Sequence, residues 1–340
     1  MKVAVVILNW NGVKFLEDFL PSVIKFSDNA EIIVADNKST DNSIAFLKEN
    51  YPSIKIIENA ENGGFAKGYN DCLKHVKAEY YVLLNSDIEV TENWIQPVIH
   101  LMESDKTIAA CQPKVKAFHK KSHFEHAGAA GGFIDKDLYP FCRGRIFHEA
   151  EEDKNQYQDN TEIFWATGAC MFVRSAVFQQ LNGFDNSFFA HMEEIDLCWR
   201  MKNQGHKIMY CSSSTVYHVG GGTLNYMSPK KTYLNFRNNL YMIHKNYEGN
   251  LFFKVFRRLI LDGIAATKFC LSGQFKHTWS VLKAHFHYYG KLSSLNKIRK
   301  ELKTQNQNKN LKGIYKKSII SAFWMNKKKK FQDLETSNFH

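Results

Sequence analysis

Four short apolar runs rich in β-branched residues recur about every 25 residues, at 3–8, 32–35, 54–57 and 80–84, and each reads as a strand buried on both faces. Val13, Leu16, Leu20, Val23 and Ile24 follow the first run at helical spacing. Ile44 and Leu47 follow the second, behind the candidate caps Ser39 and Thr40. Strand and helix alternating three times predict an α/β fold on a parallel sheet with right-handed crossovers. Unusual polar residues fall just after each run: Asn9-Trp10-Asn11-Gly12, Asp36-Asn37, Asn62-Gly63-Gly64 and Asn85-Ser86-Asp87. In an open parallel sheet all four lie at the carboxyl edge, where ligands bind beside helix amino termini. Each cluster alone also reads as a strand-to-helix turn, but their shared edge predicts a ligand site.

Beyond these repeats, 108–115 reads as a further strand. Residues 119–160 are irregular, with small residues at 127–132 and an acidic stretch at 149–153, a length that marks a functional or mobile segment. A strand-like 170–173 and a helix over 175–181 come next, then helical spacing at Ile195, Cys198 and Trp199 with Gly205 as its cap. Extended segments at 207–211 and 215–219 lead into Gly220-Gly221-Gly222. Seven cysteines, with no C-x-x-C pair, suggest neither a disulfide framework nor a zinc cluster, and point to a reducing cytosol. The apolar stretch 3–8 is too short for a signal-peptide core, and no run reaches the length of a spanning helix.

The net charge of +11 is unevenly divided, −7 over residues 1–225 and +18 over 226–340. A basic final third implies an anionic surface as partner. Helices expected over 233–247, 251–269, 275–289 and 315–331 mix aromatics with Lys, Arg and His, a composition suited to a lipid headgroup interface. The alternative is a helical lid on the main domain with a solvated basic face. No recognised nucleic-acid motif accompanies the charge.

Four groups of residues could carry chemistry. Asn85-Ser86-Asp87, with Glu89 beyond it, offers hard oxygen ligands that bind Mg²⁺ or Mn²⁺ tightly once a diphosphate adds further oxygens; a turn-capping aspartate would look the same. Glu193, Glu194 and Asp196 crowd three acids into four residues after the apolar stretch 188–192. Such crowding raises a carboxyl pKa and suits a general base, although acids in a first helical turn also favour the helix dipole. His218, before the triple glycine, could complete a metal shell or be a hydrogen-bonded structural residue. Arg143 and Arg145 could clamp phosphate or an acidic substrate, or be solvated.

The chain resembles family 2 glycosyltransferases of the GT-A fold, especially their bacterial rhamnosyltransferase-like branch. The matching stretches, in the family's order, are 5–12, 34–41, 62–70, 83–87, Trp165-Ala166-Thr167-Gly168-Ala169, Gly183-Phe184-Asp185 through Glu193-Glu194-Ile195-Asp196-Leu197, and Val216-Tyr217-His218. The resemblance implies a Rossmann-like, mostly parallel central sheet flanked by helices. Residues 1–240 would form the GT-A domain, about 1–115 for the nucleotide sugar and about 116–240 for the acceptor and base, and 241–340 a basic helical extension. It also implies roles. Asp36 would hold the nucleotide base, and Asn9 and Asn11 would line the nucleoside pocket. Asn37, Asn62, Gly64, Asn70, Asn85 and Ser86 would belong to the donor site. Asp87 would be the metal ligand in place of the family's D-x-D motif, with His218 and Glu89 near the ion. Glu194 would be the general base beside Glu193, and Trp165, Gly168, Arg143 and Asp196 would meet the acceptor. Two departures stand out: Asn85 replaces the first aspartate of D-x-D, and Glu194 stands where aspartate is more usual.

The expected activity is thus inverting, Mn²⁺- or Mg²⁺-dependent transfer of a sugar from a UDP- or dTDP-linked donor to a hydroxyl of a glycan or lipid-linked acceptor of the bacterial cell envelope. The expected place is the inner face of the inner membrane. Two alternatives keep the fold: nucleotidyl transfer onto a sugar phosphate, for which 9–14 lacks the arginine of a glycine-rich basic loop, and a non-catalytic nucleotide-sugar-binding protein.

Overall fold

The structure is a computed structural model, and it describes residues 2–220, 228–305 and 310–340. Gly221 and Gly222 of the triple glycine lie outside the described residues. The first half alternates β1 (Val3–Asn9), α1 (Val13–Phe26), β2 (Ala30–Asp36), α2 (Ser43–Asn50), β3 (Lys55–Glu58), α3 (Gly64–Leu73) and β4 (Tyr80–Asn85). After β5 (Ile88–Val90), α4 (Gln96–Ser104) and β6 (Ile108–Ala117) come the short strands β7 (Lys120–Phe124), β8 (Gly132–Asp135), β9 (Pro140–Cys142), β10 (Arg145–Ile146), β11 (Glu149–Ala150) and β12 (Thr161–Ile163). Then follow β13 (Cys170–Arg174), α5 (Ser175–Gln180), α6 (Glu193–Asn203) and β14 (Lys207–His218). The basic third supplies α7 (Pro229–Asn246), α8 (Leu251–Leu271), α9 (Phe275–Gly290), α10 (Leu292–Gln305), β15 (Ile314–Tyr315) and α11 (Ile319–Trp324).

The main sheet runs β12-β14-β6-β13-β4-β1-β2-β3, with β5 on β14 and β7 on β6. Strands β1 to β4 are mutually parallel, and β13 is inserted antiparallel between β4 and β6. Register places Asn9 opposite Asp36 and Leu8 opposite Asn85, so the polar strand ends stand level at one edge. Alternation along β1 sends Val3, Val5 and Ile7 to a layer with Leu16, Leu20 and Val98, and Ala4 and Val6 to a layer with Ala66, Tyr69 and Leu83. Because β3 ends the sheet, its Lys55 and Glu58 are exposed and the expected burial on both faces does not hold there.

The irregular segment 119–160 contains a second sheet, β11-β10-β9-β8, and its far edge is completed by β15 from the end of the chain. Phe331 and Phe339 close over Phe133, Phe141 and Tyr315. The helix expected over 315–331 is therefore a strand, the six-residue α11 and a short 3₁₀ turn. Asp135 fixes this return by accepting the backbone N–H of Ile319 at 2.8 Å. The two segments expected at 207–211 and 215–219 are one strand, β14, whose register against β6 shifts between Cys211 and Thr215. The other three helices expected in the basic third are present near their expected bounds, with α10 in addition.

Candidate active site

The carboxyl edge of the sheet borders a cavity of about 750 Å³, of the size that takes a small ligand. Asn37, Asn62, Gly64, Asn85, Ser86, Asp87, Trp165, Gly168, Glu193, Glu194 and His218 all reach its wall. Residues separated by more than 100 positions thus converge on one space.

The floor is set by hydrogen bonds among the strand ends. Asn9, fully buried, donates to Asp36 Oδ1 at 3.1 Å and to Ser39 Oγ at 3.2 Å. Asp36 also accepts from Ser39 N at 2.8 Å and Ser39 Oγ at 2.6 Å, so both its oxygens are engaged inside the protein. Neither Asn9 nor Asp36 lines the cavity; Trp10 and Asn37 do. Asn11, at φ 50°, accepts the backbone N–H of Thr40 at 2.7 Å and stitches the end of β1 to that of β2. Asn37 donates to the Gly64 carbonyl at 2.9 Å and to Asn62 Oδ1 at 3.2 Å, which fixes the start of α3. Gly64 needs its lack of a side chain twice: its φ is +77°, and a Cβ would run into the Phe189 carbonyl. Asn70 lies outside the cavity and clamps Phe184 through its backbone N–H at 3.0 Å and carbonyl at 2.7 Å.

On one wall, Asp87 follows β4 and His218 ends β14. His218 Nε2 lies 3.2 Å from Asp87 Oδ1 and its Nδ1 3.2 Å from Glu125 Oε2. Burial opposes protonation of this imidazole, yet the two carboxylates prevail and raise its pKa to about 10. Among the described residues no three His, Cys, Asp or Glu side chains form a ligating cluster. Asp87 offers a carboxylate, and His218 an imidazole once an arriving cation displaces its proton, too few to enclose a six-coordinate cation but suited to Mg²⁺ or Mn²⁺ sharing the remaining positions with diphosphate oxygens and water. The donor set therefore fits a cation that arrives with its substrate. Glu89 does not join it: on β5 its neighbours Ile88 and Val90 turn inward, so Glu89 points away and pairs with Lys121.

Glu193 and Glu194 line the same cavity. Phe189, His191 and Met192 all have positive φ, from 62° to 72°, a strained approach that aims the first turn of α6 at the cavity. Asn238 of α7 holds that approach by donating to the carbonyls of Phe188, Ala190 and His191 at 3.0, 2.9 and 2.7 Å. The Oε2 atoms of Glu193 and Glu194 are buried without a hydrogen-bond partner. Burial pushes the Glu194 carboxyl up to about 7; burial and the neighbouring Glu194 raise Glu193 well above the usual carboxylate range. One neutral carboxyl therefore sits beside one that ionises near neutrality. Burial also lowers His191, at the same wall, to about 4.

Trp165 lays its ring against Gly132 and donates Nε1–H to the Phe133 carbonyl at 3.0 Å, while Gly168 gives room to Phe65. Two expected acceptor residues stand elsewhere. Arg143 lies between the rings of Tyr157 and Tyr210 and pairs with Asp159 at 3.0 Å, because Gly144 turns alternate arginines to opposite sides; Arg145 is the one at the cavity. Asp196 is fully buried, bound to Arg200 Nε at 2.9 Å, Lys245 Nζ at 2.9 Å and Asn246 Nδ2 at 2.7 Å, and ties α6 to α7 outside the cavity. Sequence reasoning missed Glu125, which has no local signal, and missed Lys230, Lys231 and Arg258, which bring cations of the basic third to the cavity wall.

Comparison with known proteins agrees with the fold. The model of "Glycosyl transferase family 2" matches residues 4–181. The N-acetylglucosaminyl-diphospho-decaprenol L-rhamnosyltransferase of Mycobacterium tuberculosis (strain H37Rv) is 22% identical over 230 residues, 63% of this chain and 75% of that protein. Rhamnosyltransferase WbbL of Escherichia coli K12 is 23% identical over 229 residues, 64% of this chain and 83% of that protein. Among solved structures, the mannosyltransferase PcManGT of Pyrobaculum calidifontis, in complex with GDP-Man and Mn²⁺, superposes with a TM-score of 0.52 at 13% identity, over 89% of this chain and 85% of that one. With more than half of its length matched by the family model, a mixed α/β GT-A sheet and a cavity at that sheet's carboxyl edge, the chain belongs to glycosyl transferase family 2.

Proposed function

We propose that the protein transfers one sugar from a nucleotide-diphosphate sugar, UDP- or dTDP-linked, to a hydroxyl of a cell-envelope glycan or of its lipid-linked precursor, with inversion at the anomeric carbon. The observation that carries this reading is that Glu194, a carboxyl with an unpartnered oxygen and a pKa raised to about 7, shares one cavity with Asp87 and His218. In this reading residues 1–115 bind the donor, 116–240 meet the acceptor, and the helices beyond 240 face an anionic surface.

Asp87 and His218 would hold the divalent ion, whose chemistry when bound is to neutralise charge on the departing diphosphate. Arg145, Lys230 and Lys231 add positive charge around the same space, where the charge of Arg258 is balanced by Asp262. The acceptor oxygen bonds to the anomeric carbon as the bond from that carbon to the diphosphate oxygen breaks, and Glu194 takes the hydroxyl proton. Glu193, held neutral, leaves its neighbour as the acid that ionises near pH 7. A single displacement with no enzyme nucleophile inverts configuration. Trp165 lines the same cavity but is nearly buried, its ring packed on Gly132, and would meet an acceptor sugar only at its margin.

The test is incubation of the purified protein with nucleotide sugars and Mn²⁺ or Mg²⁺. Release of nucleoside diphosphate is the expected result, faster with acceptor. Pyrophosphate release would replace the reading with nucleotidyl transfer, and donor binding without release would leave a binding protein.

A further inference from the structure

The outer side of the α8–α9 pair is an apolar surface that the rest of the described chain does not cover. Along α9, Phe275, Trp279, Leu282, Phe286 and Tyr289 are 42–66% exposed. At about 100° per residue they fall in a stripe roughly 80° wide. The opposite side of α9 is spent on the protein: His277 meets Thr232 at 2.8 Å, Ser280 donates to the Pro229 carbonyl at 2.9 Å, and Tyr288 meets His244 at 2.8 Å. Along α8, Phe252, Phe256, Ile260 and Ile264 repeat every four residues and are 50–72% exposed, while Val255, Asp262 and Ala266 are buried. The antiparallel helices meet through Thr278, which donates to the Ala266 carbonyl at 3.2 Å, and through His285, 3.4 Å from Asp262. The two stripes therefore open side by side on one face.

Charge identifies the occupant. Between residues 251 and 290 the one acidic residue, Asp262, is buried against Arg258. Lys276 and Lys283 flank the α9 stripe and Lys268 that of α8 on its far side, where Arg257 is already paired with Asp137 at 2.6 Å. No described helix is long and apolar enough to cross a membrane. A second copy of this face would bring cationic flanks together with no carboxylate between them, whereas anionic headgroups complement the flanks as the aromatics enter the acyl boundary.

We propose that the outer face of α8 and α9 docks on an anionic lipid bilayer, with its aromatic and aliphatic stripes inserted in the plane of the interface. The other side of α8 carries Arg258 to the cavity wall, so about one helix diameter, near 10 Å, separates the docked face from the site. A lipid-linked acceptor would then meet the cavity at the level of the headgroups, a consequence that rests on the sugar-transfer reading above. The docking itself does not.

The experiment is flotation of the full chain with vesicles of phosphatidylglycerol and phosphatidylcholine in equal parts, against vesicles of phosphatidylcholine alone, with donor hydrolysis followed separately in solution. The wild type should float with the anionic vesicles and much less with the neutral ones. Trp279→Glu with Phe286→Glu, both exposed positions, should weaken that binding by at least about tenfold while leaving donor hydrolysis unchanged. Lys276→Glu with Lys283→Glu should remove the preference for anionic lipid. Undiminished flotation of the Trp279/Phe286 variant would overturn the proposal, as would absence of wild-type binding or a wild-type dimer that the same variant dissociates. A wild-type protein that floats but hydrolyses no donor would instead refute the sugar-transfer reading.

Discussion

Replacing Asp196 with asparagine should cost stability and leave acceptor recognition untouched, although the residue sits two positions after Glu194. Its carboxylate is fully buried between Arg200 and Lys245, which are themselves nearly inaccessible. Removing one partner of a buried ion pair costs about 3–5 kcal/mol. Here Arg200 keeps the carbonyls of Leu181 and Gly183, each at 2.8 Å, and Lys245 keeps Asp185 at 2.6 Å. The new amide oxygen also still accepts from Asn246. The loss should therefore lie at the lower end, about 3 kcal/mol, or roughly 4 °C in Tm for a chain of this size. Thermal and urea denaturation of the purified variant measure it, and acceptor KM on the folded protein should match wild type. A variant as stable as wild type but with a raised acceptor KM would refute the reasoning and return Asp196 to the acceptor site.

The pH profile should report Glu194: kcat/KM should fall about tenfold per pH unit below about 7, since the base must be ionised and burial holds its pKa near that value. A profile flat to pH 5 would contradict this. Asp87→Ala should weaken Mn²⁺-dependent donor binding by at least about tenfold in calorimetry while leaving metal-free binding unchanged; equal loss with and without metal would deny Asp87 a ligand role. Gly64→Ala should destabilise the protein by about 1–3 kcal/mol, because alanine at φ +77° is strained and its Cβ meets the Phe189 carbonyl. Unchanged thermal stability would show that this junction yields.

The first half of the fold was legible because its strands are continuous β-branched runs, whose burial needs no partner to be inferred. The polar ends of those runs then located the cavity edge, since parallel register aligns strand termini. What they could not reveal is which end residues face the ligand: Asp36 is consumed by Asn9 and Ser39, a fact of three-dimensional hydrogen bonding. The second sheet escaped notice because its strands are two to four residues long and one of them, β15, arrives from the far end of the chain. Arg143 and Arg145 look alike in sequence, and only the turn at Gly144 sends one to Tyr157 and the other to the cavity. Asp196 did carry a signal, its i,i+4 spacing to Arg200, which marks an acid already paired on its own helix. Glu125 carried none, as it meets His218 only through the pairing of β7 with β6.

The chemistry of the cavity turns on one proton acceptor in the lining it shares with Asp87. Single-turnover transfer by Glu194→Gln, with donor affinity measured on the same preparation, addresses it directly. Transfer should drop by about 10²–10⁴-fold while donor affinity stays at the wild-type value. Near-normal transfer by that variant would contradict the assignment and move the base to another residue of the wall.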